Sequence, residues 1–528
     1  FFINRCSEEI AKKTIHDTSE EVRRLNFAIE KADSQVEKLK DKTEKSGDKN
    51  SVMKFEAIKA ILSNNDFIGE LEKYIASNHV CAEYAVSQIS KQYKNISELS
   101  MQEKSDLITE ISELLINILT GSEYSSASNG NVIVAVDHLT LSETAGLDKT
   151  HVLGFIMKKD GISTNTTIMA KMMDIPAVTN LGDSLDDSVN GKTAYIDGRE
   201  GKLYIQPDSP TIEMLEQRKR LQSARKDYFN ELKGKDNVTK CGHRIKLYAK
   251  ISTTADINNV LINDAEGIGL FKSEFIYMGK KTLPTEEELF EIYKTVAQKM
   301  GSKPVIIRTL DIGSDKQIEA IDIPKEKNPA MGLRSIRICL EKPEIFQIQI
   351  RAICRASAFG NLSILLPMVT SIDEVIRAKA LILETCTDLK SENIHFKEIP
   401  IGVMIETPAS ALISDQLAKH IDFLSVEIND LSQYTLAVDR QNPYLTELYT
   451  AHHPATLKLV KLAADNIHRE GKRICVCGKS AADEELFRIL LSMGIDEFSV
   501  EADDLLPVKN LILNSDLSSY KLPEEYKL

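Results

Sequence analysis

The sequence predicts a multidomain α/β protein dominated by a (β/α)8 barrel, and three observations carry that prediction. Its 528 residues exceed what one hydrophobic core can organise, so about three or four domains are expected. Residues 1–121 contain no proline and follow a charged pattern of helical period. Residues 237–528 alternate short apolar strands with amphipathic helices, the signature of a parallel sheet closed by its crossover helices.

In the helical segment, Leu25, Ile29 and Val36 recur among charged residues, and the polar stretch Thr43–Ser51 predicts a turn between antiparallel helices. The character changes at Gly121. GSEYSSASNGN reads as a linker, and VIVAVDHL, HVLGFIMK, TAYIDG and KLYIQPD read as short strands of a compact β/α domain over 122–209. An Arg/Lys/Glu-rich run predicts a connecting helix over 210–236. Beyond it, the candidate barrel strands are KLYAKIS, GIGLFKS, PVIIRTLDIG, LSILLPMV, PIGVMIET, DFLSVEIND, RICVCGK and DEFSV. An open doubly wound sheet is the competing architecture, but no GxGxxG fingerprint opens the region.

Composition narrows the function classes. The 79 acids against 66 bases give a net charge of −13, which argues against nucleic-acid and anionic-membrane partners. No apolar run reaches the ~18 residues of a membrane span, and no signal peptide is visible, so a cytoplasmic protein is expected. The eight cysteines lack disulfide-framework or zinc spacing and read as reduced thiols.

In a parallel barrel, the residues just after each strand converge on one face. Here those positions hold Lys272 and Glu274, then Arg308, Asp311 and Lys316. Arg334 and Arg337 follow, then Glu406, Asn429, Asp430, Arg440 and Cys477. Two carboxylates with oxygen-donor neighbours suit Mg²⁺, which shares its shell with a substrate phosphate. The arginines suit bidentate grip on carboxylate and phosphate. A small phosphorylated anion held with Mg²⁺ is therefore the expected ligand. Any one of these residues alone reads as an ordinary salt bridge, and nothing local makes Cys477 more than a core thiol.

The strings AEGIGLFKSEFIYM, VIIRTLDIGSDK, NPAMGLRSIR, RASAFGNLSILLPM, GVMIETPAS, NDLSQYTLAVDR and CGKSAADE resemble enzyme I of the phosphoenolpyruvate-dependent sugar phosphotransferase system, and the likeness runs to about Leu513. The resemblance implies a helical subdomain for the phosphocarrier HPr over 1–121 and a swivelling phosphohistidine-type domain over 122–209. It further implies a homodimerising barrel over 237–528 that binds phosphoenolpyruvate. It assigns Glu406 and Asp430 to Mg²⁺. Phosphoenolpyruvate falls to Arg308, Asn429, Asp430 and Arg440, with Lys272, Lys316 and Arg334 nearby. Protonation of the enolate carbon, giving pyruvate, falls to Cys477. Thr140 matches a threonine that supports the phosphorylated histidine.

The chain departs from that pattern at the relay itself. The family's Gly-Gly-x-Thr-Ser-His-Thr reads DGISTNT here, placing Asn165 at the histidine position. A carboxamide is neither basic nor nucleophilic at neutral pH, so the family's phosphoryl intermediate is not expected. Asp160 and Ile162 replace a glycine and an arginine in the same loop, and Lys272 replaces an arginine. Glu427-Ile428 replaces Gly-Thr beside the metal carboxylate, and Lys479 replaces an acid. The swivelling domain's initial strand, which usually precedes the helices, is not found. His138 and His151 are poor substitutes for the lost imidazole. The two functional readings are a phosphoenolpyruvate–protein phosphotransferase with impaired relay, and a binding or regulatory protein on the same fold. Drift at several positions together speaks against an engineered His→Asn trap.

Overall fold

A computed structural model describes residues 12–46, 49–63, 65–94, 102–120, 131–136, 151–157, 170, 175–181, 189–278, 282–313, 320–321, 323, 326–518 and 520–528. The chain forms two compact units, Phe1–Leu221 and Gln222–Leu528.

The first unit opens with helices Thr18–Ser46, Lys49–Leu62, Asn65–Asn78, Ala82–Lys94 and Gln102–Thr120. Leu25, Ala32 and Val36 lie fully buried on one face of the first helix and pack with Ile58, Leu71, Ile75, Ile111 and Leu115. The first two helices are antiparallel, because Lys40 pairs with Glu56 while Lys59 pairs with Glu37. The turn is shorter than the polar composition predicts. Thr43–Ser46 continue the first helix and Lys49–Ser51 begin the second; the segments contain Glu44, Lys45 and Lys49, whose helix propensity is good, and no proline.

Strands β1 (Val132–Val136), β2 (Val152–Met157) and β3 (Ala177–Val178) then form a parallel sheet, and β4 (Ala194–Asp197) with β5 (Lys202–Ile205) an antiparallel hairpin. Strand β3 was not expected, as two residues are too few to show a period. Thr140, Asp160, Ile162 and Asn165 lie outside the described residues. The connecting helix runs Ser209–Asn230, with Asp208 accepting from the Thr211 amide at 3.0 Å.

The second unit is the expected barrel. Strands β6 (Lys246–Ile251), β7 (Ile268–Lys272), β8 (Pro304–Arg308), β9 (Asn361–Leu366), β10 (Ile401–Ile405), β11 (Phe423–Glu427), β12 (Arg473–Cys477) and β13 (Glu497–Val500) close into an eight-stranded barrel. Every pairing in it is parallel. Its interior is filled, not open: Leu270, Ile306, Leu365, Met404, Phe423 and Cys477 form a buried inner cluster. Gly402 is required there, because a Cβ would stand 2.4 Å from the Phe423 ring. The larger core lies between the strands and the helix ring, where Phe271 meets Tyr293 edge-on at 5.9 Å and Phe487 meets Phe498 at 4.6 Å. Capping boxes at Thr285 and Ser371 set the starts of helices Glu286–Met300 and Ile372–Ser391. Among the described residues, no helix is long and apolar enough to cross a membrane.

Candidate functional site

Parallel closure brings the last residue of each strand to one rim, and that rim gathers the charged residues expected from the sequence. Lys272 ends β7, Arg308 ends β8, Glu427 ends β11 and Cys477 ends β12. Glu406 directly follows β10, and Asn429 and Asp430 lie in the first turn of helix Ile428–Leu436.

Arg308 is the centre of a buried ion cluster. Its guanidinium pairs with Glu274 and, at 2.9 Å, with Asp311. Asp311 in turn takes Arg334 at 3.3 Å and the Ser335 hydroxyl. Arg334 also donates to the Tyr434 hydroxyl at 3.3 Å. Arg334 and Arg337, three positions apart, diverge because Ser335 has φ +52 and interrupts the helical path. Arg337 therefore donates to the carbonyls of Met331 and Gly332 at 3.1 and 2.8 Å and is not part of the cluster. Met368, with φ +57, donates its amide to Glu406. Positive φ at two non-glycine residues bordering the same site is backbone strain of the kind stored where geometry is functional.

Glu406 is buried, and its carboxyl is held well above the ordinary range by burial, then by the negative charges of Asp311 and Asp430. A divalent cation between Glu406 and Asp430 would relieve that repulsion. The donor set suits Mg²⁺, which takes one or two carboxylates and completes its shell with waters and phosphate. Among the described residues no group of three or more His, Cys, Asp or Glu could hold a metal, and a two-carboxylate Mg²⁺ site needs none.

Arg440 reaches Asp430 at 3.4 Å. Asn429 is oriented by the Tyr449 and Ser480 hydroxyls, which donate to its side-chain oxygen at 3.1 and 3.0 Å and direct its amide donor elsewhere. Lys272 is mostly buried, and burial followed by the charges of Lys250 and Arg308 lowers its pKa. Cys477 is fully buried. Burial and then Glu427 push its thiol well above the usual range, so it holds its proton, and it donates to the Val426 carbonyl at 3.2 Å.

Glu427 is the anomaly. It is 5% exposed, its Oε2 lies 3.7 Å from the Cys477 sulfur, and its Oε1 has no hydrogen-bond partner. It fits only because Gly478, at φ +106, lacks a Cβ that would stand 2.7 Å from that oxygen. Burial, then Asp430, raises its pKa against the opposing pull of Lys272 and Lys250.

Lys316 lies outside the described residues. The sequence reading missed Lys250, which pairs with Glu501 at 2.6 Å, although a lysine inside the apolar strand KLYAKI was a signal. It also missed Tyr434, Tyr449 and Ser480, polar residues of ordinary appearance whose roles exist only through contact. Gln349 was equally invisible. Fully buried on helix Pro343–Ser357, it accepts from the Leu310 amide at 3.0 Å and donates to Ser273 at 2.9 Å and Tyr293 at 3.0 Å.

This rim can be set beside known proteins. The chain matches the PEP-binding domain of PEP-utilising enzymes over residues 226–517, their N-terminal domain over 2–103 and their mobile domain over 128–201. It is 38% identical to the phosphoenolpyruvate-protein phosphotransferase of Priestia megaterium over 510 residues, covering 95% of this chain and 89% of that protein. Against the proteins of the same name from Bacillus subtilis (strain 168) and Staphylococcus carnosus (strain TM300), identity is 38% and 37%, with 95% and 96% of this chain and 90% of each relative covered. An NMR solution structure of Enzyme I superposes with a TM-score of 0.34 at 27% identity, covering 40% of this chain and 89% of that one. Identity of 38% along nearly the whole chain to the curated relatives, with all three domain types in order, places this protein in the enzyme I family of phosphoenolpyruvate-protein phosphotransferases.

Proposed function

We propose that the barrel rim binds phosphoenolpyruvate with Mg²⁺, and that onward transfer of the phosphoryl group to HPr is impaired because Asn165 stands where the family has its acceptor histidine. The observation that carries the binding half is the convergence of Arg308, Arg334 and Arg440 around Glu406 and Asp430 at one end of a closed barrel.

In this reading Glu406 and Asp430 hold the metal, which when bound supplies positive charge to the phosphoryl oxygens and the enolate. Arg308 and Arg334, fixed by Glu274 and Asp311, present cations without needing to be ordered on binding, a preorganised electrostatic arrangement. Asn429, turned by Tyr449 and Ser480, offers an amide donor, and Arg440 closes the anion from the side of Asp430. Cys477 keeps its proton, as a donor to the enolate carbon must, and reaches that carbon only by turning from the Val426 carbonyl. Cytoplasmic location, dimerisation through the barrel and HPr docking on the helical subdomain belong to the same proposal. They rest on the relatives' likeness and, for the dimer, on the intact barrel strings.

The second reading, a binding or regulatory protein, is favoured by Glu427. A buried carboxylate with an unpaired oxygen beside Lys272 opposes a multiply charged anion. The proposal is tested by incubation with labelled phosphoenolpyruvate, Mg²⁺ and HPr, alongside calorimetry of ligand binding with and without chelator. The expected outcome is binding that chelation abolishes and no label on either protein. Rapid labelling of HPr overturns the impairment, and metal-independent tight binding overturns the site.

A further inference from the structure

On the outer ring of the barrel, away from the rim, two cysteines face each other from neighbouring helices. Cys354 lies on helix Pro343–Ser357 and Cys386 on helix Ile372–Ser391, 32 residues later, and their sulfurs are 3.8 Å apart. Cys354 is fully buried, whereas Cys386 is partly open to solvent. We propose that Cys386 and Cys354 form a dithiol site that reacts with a small hydroperoxide and closes to a disulfide between the two helices.

The two thiols have the asymmetry such a pair requires. The outer sulfur is the accessible one and meets oxidant first; the inner one is screened from solvent and lies within contact of it. The contact with Cys354, and beyond it the positive charge of Lys390 one turn along, lowers the Cys386 pKa against the opposing effect of burial, while the same contact and then burial push Cys354 up. A thiolate of that kind is the nucleophile of peroxide chemistry, and the screened thiol is the resolving partner. To reach the ~2.05 Å of a disulfide the sulfurs close by about 1.7 Å, a movement within reach of χ1 adjustment on two helices already packed together.

The reaction balances without further reagents. The Cys386 thiolate attacks one oxygen of the hydroperoxide; a sulfur–oxygen bond forms, the O–O bond breaks, and the leaving alkoxide takes a proton from water to depart as an alcohol, or as water when hydrogen peroxide is the oxidant. Cys354 then attacks the sulfenic sulfur. The S–S bond forms, the S–O bond breaks, and hydroxide leaves with the Cys354 proton as water. The two sulfurs supply the two electrons that reduce the peroxide.

The test uses the intact chain and hydrogen peroxide. Thiols counted after denaturation are expected to fall from eight to six, and a non-reduced peptide map is expected to show the Cys354 and Cys386 peptides linked, separating with dithiothreitol. In Cys354→Ser a dimedone adduct accumulates on Cys386, because the sulfenic acid has no resolving thiol, while the parent protein shows little adduct. Cys386→Ser loses the fast phase of peroxide consumption. The proposal is overturned if both peptides remain alkylatable while other cysteines oxidise, or if Cys386 proceeds to sulfinic acid in the parent protein without a linked peptide.

Discussion

Replacing Glu427 by glutamine isolates the charge that sets this site apart. The side chain is buried, one oxygen has no partner, and the other lies 3.7 Å from the Cys477 sulfur, so an isosteric amide changes charge while keeping volume. At ~6 Å and an effective dielectric of ~20, two like unit charges repel by about 3 kcal/mol, which is roughly a hundredfold in affinity. Lys272 and Lys250 offset part of this, so phosphoenolpyruvate with Mg²⁺ is expected to bind Glu427→Gln about 10- to 100-fold more tightly by calorimetry. Glu427→Gly, which also removes the bulk, should bind at least as well. Because burial raises the Glu427 pKa, the parent protein sheds the charge as pH falls through that value, and the gap between the two proteins closes there and widens above it. For stability the same sign holds: the contribution is fully present below the unfolded carboxyl value and is lost as pH rises through the raised one, so glutamine is favoured above it. An affinity within twofold of the parent at every pH would falsify the charge argument.

Asn165→His alone is expected to phosphorylate itself slowly or not at all, because Ile162, Lys272 and Glu427 remain; adding Ile162→Arg, Lys272→Arg, Glu427→Gly and Ile428→Thr should raise the rate markedly in a labelled-phosphoenolpyruvate assay. A single revertant as fast as an ordinary enzyme I would refute the idea of drift at several positions. Glu274→Ala removes one of the two carboxylates paired with buried Arg308, and should cost about 3 kcal/mol in urea unfolding; a loss under ~1 kcal/mol would show that the cluster relaxes around the missing partner. His468 is hydrogen-bonded to Asp496 at 2.9 Å, and this raises its pKa. Its stabilisation is present below ~6.5 and lost as pH rises through the raised value. With 36% of the side chain exposed the effect is screened to about 0.5 kcal/mol, visible as a shallow fall in thermal midpoint that His468→Gln abolishes.

The alternation of apolar strands with amphipathic helices favoured a parallel barrel over an open doubly wound sheet, because a sheet buried on both faces and crossed by helices has few ways to close. The same register argument placed Lys272, Arg308, Glu406 and Cys477 on one rim, since each follows or ends a strand; Glu427 entered only as a departure from the family pattern. Lengths and local turns were less legible: the first helix runs to Ser46 through residues whose polarity suggested a break.

The pairing within the rim was not in the sequence at all. Arg334 and Arg337 have equal claims by spacing, and only the positive φ of Ser335 sends one to Asp311 and the other to loop carbonyls. Glu427 could be read as an added negative charge, but its burial, its unpaired oxygen and its dependence on Gly478 follow from how β11 and β12 lie side by side. Cys354 and Cys386 carry no local signal, being 32 residues apart on different helices, and their contact exists because both helices pack on the same closed sheet. Period and composition act through neighbours in the chain and so reveal elements; charge balance, burial and thiol contact act through space, and they were settled only when the barrel closed.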